Sequence, residues 1–146
     1  MSLTLATVNP GEPEIFASLQ GEGPSAGRPC TFVRLSRCNL ACTWCDTAYT
    51  WRFTGDNRPH RDGLAFERGA NQLTLDEADV AARIMALGQD RLVITGGEPL
   101  LQGAPLARMV ALLNTLPAAT PNPLPRAGGG LGQDQRDAAD QHSPAR

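Results

Sequence analysis

Apolar and β-branched residues gather in Thr31-Phe-Val-Arg-Leu-Ser36, whose composition and partial alternation predict a strand. Leu75, Val80, Ile84 and Leu87 then follow helical spacing and stop at Gly88. Ahead of them, Thr74-Leu-Asp-Glu77 has the form of a capping box, with Thr74 capping the helix and Glu77 reaching back. Arg91-Leu-Val-Ile-Thr95 is a short β-branched run that predicts a buried strand. A second helix is predicted to begin near Pro105, which suits a first turn, with Leu106, Met109, Val110, Leu112, Leu113 and Leu116 as its apolar positions. The order is strand, cysteine-rich loop, helix, strand, glycine loop, helix, and no internal repeat is evident. Such alternation predicts parallel βα units in an α/β fold, with ligands beyond the carboxyl ends of the strands. The loops at 37–47 and 96–99 both follow strands directly and are expected on one rim. Residues 50–72 read as a polar connection with little regular structure, and the charges of 52–68 as a solvated loop.

The pattern fades after residue 116. Segment 117–146 has Leu124 and Leu131 as its large apolar residues and is otherwise Pro, Gly, Ala and polar, so it is expected to be disordered. Residues 1–116 are therefore read as the foldable unit and 117–146 as a disordered or aberrant tail. A net charge of −2 gives no reason to expect a broad nucleic-acid or membrane footprint. Neither a long apolar run nor a basic, apolar leader is present, which points to the cytoplasm.

The cysteines change the picture. Cys30, Cys38, Cys42 and Cys45 crowd into 16 residues, which suits a cofactor better than a disulfide framework. Cys38-Asn-Leu-Ala-Cys42-Thr-Trp-Cys45 spaces three thiols as C-x3-C-x2-C. Three thiolates can hold three irons of a [4Fe-4S] cluster and leave the fourth open to a small molecule. A structural zinc would want a fourth protein ligand. Cys30 and His60 are the candidates, and neither makes a familiar zinc spacing. Spacing alone favours the open cluster over zinc, with unligated thiols as a third reading. Cys30 by itself reads as a small buried hydrophobe.

Three motifs together resemble a family. The cysteine motif with Trp44 before its last cysteine, and Thr95-Gly-Gly-Glu98-Pro99 after a strand, resemble the radical S-adenosylmethionine (SAM) superfamily. Ser18-Leu-Gln-Gly-Glu-Gly-Pro24, the Phe32-Val-Arg34-Leu run and Cys45-Asp46-Thr47 narrow the resemblance to the 7-carboxy-7-deazaguanine synthases of queuosine biosynthesis, over residues 14–116. The resemblance implies a partial (β/α) barrel of the radical SAM type, of which about the first two βα units are present.

It also implies a reaction. A reduced cluster passes an electron to SAM, and the resulting 5′-deoxyadenosyl radical takes a hydrogen from 6-carboxy-5,6,7,8-tetrahydropterin. The ring contracts, ammonia leaves, and the product is 7-carboxy-7-deazaguanine, so the class is a carbon–nitrogen lyase assisted by Mg2+. By position, Cys38, Cys42 and Cys45 would ligate the cluster. Trp44, Cys45, Asp46, Gly97 and Glu98 would line SAM, the carboxylate facing its ammonium group. Thr47 would offer its hydroxyl to Mg2+. Leu19, Gln20, Gly21, Glu22, Arg34 and Thr95 would meet the pterin, Arg34 through the pterin carboxylate. No side chain is assigned as an acid or base. The implied partners are an electron donor such as flavodoxin or ferredoxin and a second copy of the chain.

The same residues carry plainer readings. Thr47 could cap a turn, Glu22 could be a solvated loop acid, Arg34 an edge charge and Trp44 a packed aromatic. After Leu116 the resemblance would call for further strands, and none is legible, so a truncated or frameshifted product with weak activity is expected. A glycyl-radical activase and a non-catalytic metal-binding remnant are the competing functions.

Overall fold

The computed structural model describes residues 2–115. Leu116 and the segment 117–146 lie outside the described residues. Five strands form one sheet: β1 (Ser2–Ala6), β2 (Ile15–Leu19), β3 (Pro29–Leu35), β4 (Gln72–Asp76) and β5 (Leu92–Gly96). The helices are a single turn α1 (Arg68–Asn71), then α2 (Glu77–Ala86) and α3 (Gly103–Thr115). The two predicted βα units are present, with β3 and β5 as parallel neighbours from Thr31↔Leu92 to Leu35↔Gly96. This is the α/β partial-barrel arrangement, extended by three antiparallel strands that the alternation of apolar residues did not reveal.

The other edge of β3 is shared. β2 pairs with it from Ile15↔Val33 to Leu19↔Pro29, and β1 takes over at Leu5↔Leu35. Ser2–Ala6 also pairs in full register with Gln72–Asp76. That ladder is why the expected capping box fails. Thr74 sits in β4 opposite Thr4, and the helix starts three residues after it, at Glu77, with Asp76 at its cap position. Glu77 does not reach back but is gripped by Arg108 of α3, with Nε 3.1 Å from both carboxylate oxygens and Nη2 2.8 Å from Oε1. The guanidinium holds the Glu77 carboxyl below its usual range.

One face of the sheet carries the core. Leu3 and Leu5 of β1 and Val33 and Leu35 of β3 pack with Val80, Ala81 and Ile84 of α2 and Met109 of α3. Leu75, Leu92, Ile94, Leu106, Val110 and Leu113 pack around this cluster. Leu75 does so from a strand rather than the predicted helix, and Leu112 is exposed. The helix predicted near Pro105 begins at Gly103, after a 3₁₀ turn at Pro99–Gln102. Among the described residues no helix is long and apolar enough to cross a membrane.

Gln102 closes a gap in the sheet. Its buried amide accepts from the Thr4 N–H at 2.7 Å and donates to the Thr4 and Ser36 carbonyls at 2.9 and 3.0 Å. One side chain thus completes the hydrogen bonding where β1 leaves β3. Gln102→Ala should lose roughly 2–4 kcal/mol, because buried backbone groups are left unpaired. Gln102→Glu should cost more, since it sets an acceptor against two carbonyls. Urea unfolding of the two variants checks both the size and the order.

Candidate metal centre

The cysteine loop leaves the end of β3 through a strained turn. Arg37 has φ 75° and Ala41 φ 49°, a region side chains seldom adopt. Arg37 is pinned there from two sides. Its N–H donates to the Thr50 carbonyl at 2.8 Å, and its own carbonyl accepts from the Glu98 N–H at 2.9 Å. The Gly97 N–H likewise donates to the Leu35 carbonyl at 2.9 Å, so the ladder between β3 and β5 continues past the strand ends into both loops. The two loops therefore share one rim, as their places after strands predicted.

The glycines of this rim are required by the chain itself. A Cβ on Gly96, at φ +123°, would stand 2.0 Å from the Leu35 carbonyl oxygen. One on Gly97 would stand 2.0 Å from the Arg37 oxygen and 3.2 Å from the Cys38 Cβ. Close approach to the cysteine loop is reason enough for glycine at both positions.

The thiols of Cys38, Cys42 and Cys45 are free and half-buried. Cys38 Sγ accepts from the Leu40 N–H at 3.3 Å, and Cys45 Sγ lies 3.6 Å from the Thr47 hydroxyl. Among the described residues no three Cys, His, Asp or Glu side chains are drawn together closely enough to hold a metal ion. Convergence on a cluster therefore asks the thiols to turn from these contacts. Both proposed fourth ligands are spent elsewhere. Cys30 is buried in β3, its Sγ donating to the Ser18 carbonyl at 3.6 Å, and burial pushes its thiol up. His60 Nδ1 accepts from the Asp62 N–H at 3.3 Å, which leaves Nε2–H to donate to the Cys45 carbonyl at 2.7 Å. The donor set is three thiols on one loop, which suits a cluster with one open iron and leaves zinc one ligand short.

The remaining predicted residues fall into two groups. Trp44 is 71% exposed, not a packed aromatic, and Asp46 is exposed beside it. Glu98 accepts from the Leu100 N–H at 2.9 Å, capping the turn that follows. Thr47 stands at the cap position of the turn Ala48–Thr50, but its side chain makes no capping bond. Arg34 and Thr95 are direct register partners on β3 and β5, on the face away from the core helices. By contrast, Leu19, Gln20, Gly21 and Glu22 lie where β2 turns toward β3, at the other end of β3. Strand rise over Pro29–Leu35 separates that hairpin from the cysteine loop by about 20 Å. The Gln20 side chain folds onto the neighbouring backbone, its Oε1 accepting from the Gly21 N–H at 2.9 Å, and Glu22 is exposed.

Two groups escaped the sequence reading. Glu14 takes Arg34 Nε on Oε1 at 3.3 Å and the Tyr49 hydroxyl on Oε2 at 2.7 Å. Burial, and then this hydrogen bond, push the Tyr49 phenol up, so it stays a donor. The other is the stretch expected to be a solvated loop. Trp51 and Phe53 are buried, the His60 side chain is 2% exposed, and Arg58 donates to the Cys38 carbonyl at 2.8 Å. Pairing with Arg58 lowers the Asp56 carboxyl to about 2. The aromatic residues within 50–72 were the available signal; sparse periodicity hid them.

The matches with known proteins agree with this geometry. Residues 19–122 match the family described as a 4Fe-4S single cluster domain, and the chain belongs to that family. It is 41% identical over 103 residues to 7-carboxy-7-deazaguanine synthase of Hyperthermus butylicus, covering 70% of this chain and 37% of that protein. The Koribacter versatilis enzyme of the same name is 43% identical over 90 residues, covering 61% of this chain and 32% of that protein. The Chlorobaculum tepidum one is 36% identical over 124 residues, covering 85% and 46%. The chain thus spans less than half the length of these relatives. QueE from Escherichia coli, a solved structure, is similar at 30% identity and a TM-score of 0.47, over 68% of this chain and 42% of that one.

Two outcomes follow from the site. Gly97→Ala should destabilise the chain by about 2–4 kcal/mol, because the methyl group collides with fixed backbone; thermal melts of the variant check it. Acid should loosen the 51–63 segment. The Asp56 carboxyl is lower in the folded chain than its unfolded value of about 3.9, so its contribution is complete above that pH and is lost as pH falls toward 2. Trp51 fluorescence in a Trp44→Phe background should change in that window, and Asp56→Asn should flatten the change.

Proposed function

We propose that this chain supplies the cluster-binding part of a 7-carboxy-7-deazaguanine synthase. One observation carries the reading: a loop with three thiols and no fourth ligand, bonded along its entrance to a Gly-Gly-Glu loop. The names of the matched relatives support the product, 7-carboxy-7-deazaguanine; its formation from 6-carboxy-5,6,7,8-tetrahydropterin with loss of ammonia rests on the resemblance of the motifs. When bound, the [4Fe-4S] cluster supplies one-electron reduction of SAM at its open iron.

The residues of the chain bind and orient. Cys38, Cys42 and Cys45 hold the cluster, and Glu98 offers the carboxylate oxygen not used in capping to the SAM ammonium group. Gly97, Trp44 and Asp46 line SAM, and Thr47 offers Mg2+ a hydroxyl free of capping duty. Arg34 binds the pterin carboxylate. Its Nε is held by Glu14, its terminal nitrogens have no hydrogen-bond partner among the described residues, and Thr95 is beside it. A fork anchored at its stem is well placed for bidentate contact. Leu19, Gln20, Gly21 and Glu22 are further proposed substrate contacts, made from the β2–β3 hairpin at the other end of β3. A flavodoxin- or ferredoxin-type donor, a homodimer and a cytoplasmic setting complete the proposal.

Anaerobic reconstitution of the full chain with iron and sulfide tests it. The visible absorption of an iron–sulfur cluster is expected, and alanine at Cys38, Cys42 or Cys45 should abolish it. With reductant and SAM, 5′-deoxyadenosine should form in a manner that depends on the carboxy-tetrahydropterin, and Arg34→Ala should weaken that dependence about tenfold or more. Stoichiometric zinc without cluster absorption would sink the reading, and 5′-deoxyadenosine formation indifferent to the pterin would sink its substrate.

A further inference from the structure

The segment from Trp51 to Asp62 touches the cysteine loop at three carbonyls, yet nothing in the proposed SAM or substrate contacts uses it. Arg58 Nη1 donates to Cys38 at 2.8 Å, the Arg61 N–H donates to Thr43 at 2.8 Å, and His60 Nε2 donates to Cys45 at 2.7 Å. The held carbonyls belong to the first ligand, to a residue between the second and third, and to the third.

Each holder is itself held. The Arg58 guanidinium lies 4.6 Å over the Trp51 ring, and its Nε sits 3.0 and 2.9 Å from the two Asp56 oxygens. Trp51 is buried and meets the His60 ring edge-on at 6.2 Å. An ordinary exposed ion pair is worth little and fixes nothing. This one is stacked on a buried indole and reaches a carbonyl 20 residues back along the chain. The geometry also has an electrostatic side. Three thiolates around a four-iron core leave the centre negative, more so when reduced, and net charge is one determinant of cluster potential.

We propose that Trp51, Asp56 and Arg58 form a clamp that shapes the cysteine loop for its cluster. Arg58 is the positioning residue: it fixes the Cys38 carbonyl and sets a permanent positive charge beside the first ligand. The inference rests on the iron–sulfur reading of the loop. It assigns work to residues that composition marks only as a polar connection.

The full chain and its Arg58→Met, Arg58→Lys and Asp56→Asn variants provide the test. Three quantities are read: the rate of iron release to a ferrous chelator, the midpoint potential of the cluster by spectroscopic titration, and hydrogen exchange of the Leu40, Cys45 and Arg61 amides in the apoprotein. Arg58→Met should release iron about tenfold faster or more, lower the midpoint potential and speed exchange at those amides. Arg58→Lys should keep the potential close to that of the parent while releasing iron faster, because an ammonium carries the charge without the fork or the stack. Asp56→Asn should release iron faster for the same positional reason.

Parent-like release, potential and exchange in Arg58→Met would overturn the proposal. So would a lower melting temperature with unchanged potential and loop exchange, which marks a merely structural residue. If Arg58→Met does not fold, the lysine and asparagine variants decide by release rate, and parent-like rates in both overturn the clamp. If the parent takes up no iron and sulfide, the iron–sulfur reading fails on its own. Amide exchange then judges the clamp: faster exchange in Arg58→Met supports it, and unchanged exchange overturns it.

Discussion

Gly96 and Gly97 lie against the backbone of Leu35 and Arg37 and the Cβ of Cys38 with no room for a methyl group, and the rest of the site hangs on that contact. It lets the parallel β3–β5 ladder run on beyond its strands, through the Gly97 and Glu98 amides, into the entrance of the cysteine loop. Arg37 can then hold a backbone conformation that costs it energy, because its neighbours on both sides leave it no alternative. The cysteine loop and the carboxylate of Glu98 are thereby fixed relative to each other before any ligand arrives. Preorganisation of the loop's entrance leaves the ligand only the thiol side chains to draw together.

What the chain disclosed as a sequence depended on whether the signal was local. β3, β5 and the helical stretches α2 and α3 each carry their own periodicity, and the C-x3-C-x2-C spacing favours a cluster over zinc on local residues alone, whereas Gly-Gly-Glu gains meaning only beside it. β1, β2 and β4 do not. Thr74 shows why: its neighbours offer a good capping box, and only the ladder with Thr4, 70 residues away, makes it a strand residue instead. Glu77 was available to Arg108 for the same non-local reason. The segment around Arg58 is irregular in backbone and charged in composition, so no period could expose it. Its buried aromatics were legible only as single residues.

The sheet has two unlike faces. One is sealed by α2 and α3 over Leu3, Leu5, Val33 and Leu35. The other carries Arg34 beside Thr95, and Phe16 stacked on Phe32 at 5.3 Å. An aromatic pair thus stands two residues along β3 from a tethered guanidinium, which gives this face a chemistry quite unlike that of the core face. Glu14 and Tyr49 keep that guanidinium in place from behind, so the face is ordered without contributions from the core.

Gln102 has a consequence for how the molecule comes into being. β1 is made 98 residues before the side chain that takes its Thr4 amide and shares its Thr4 carbonyl with the Ser36 N–H. A ribosome adding about 5–20 residues per second keeps that strand waiting for several seconds. Until then β1 can pair with β3 through the Ser36 N–H, but its Thr4 amide lacks the partner it has in the folded chain. The strand is therefore secured in two instalments, backbone from β3 and then one amide side chain from far along the chain.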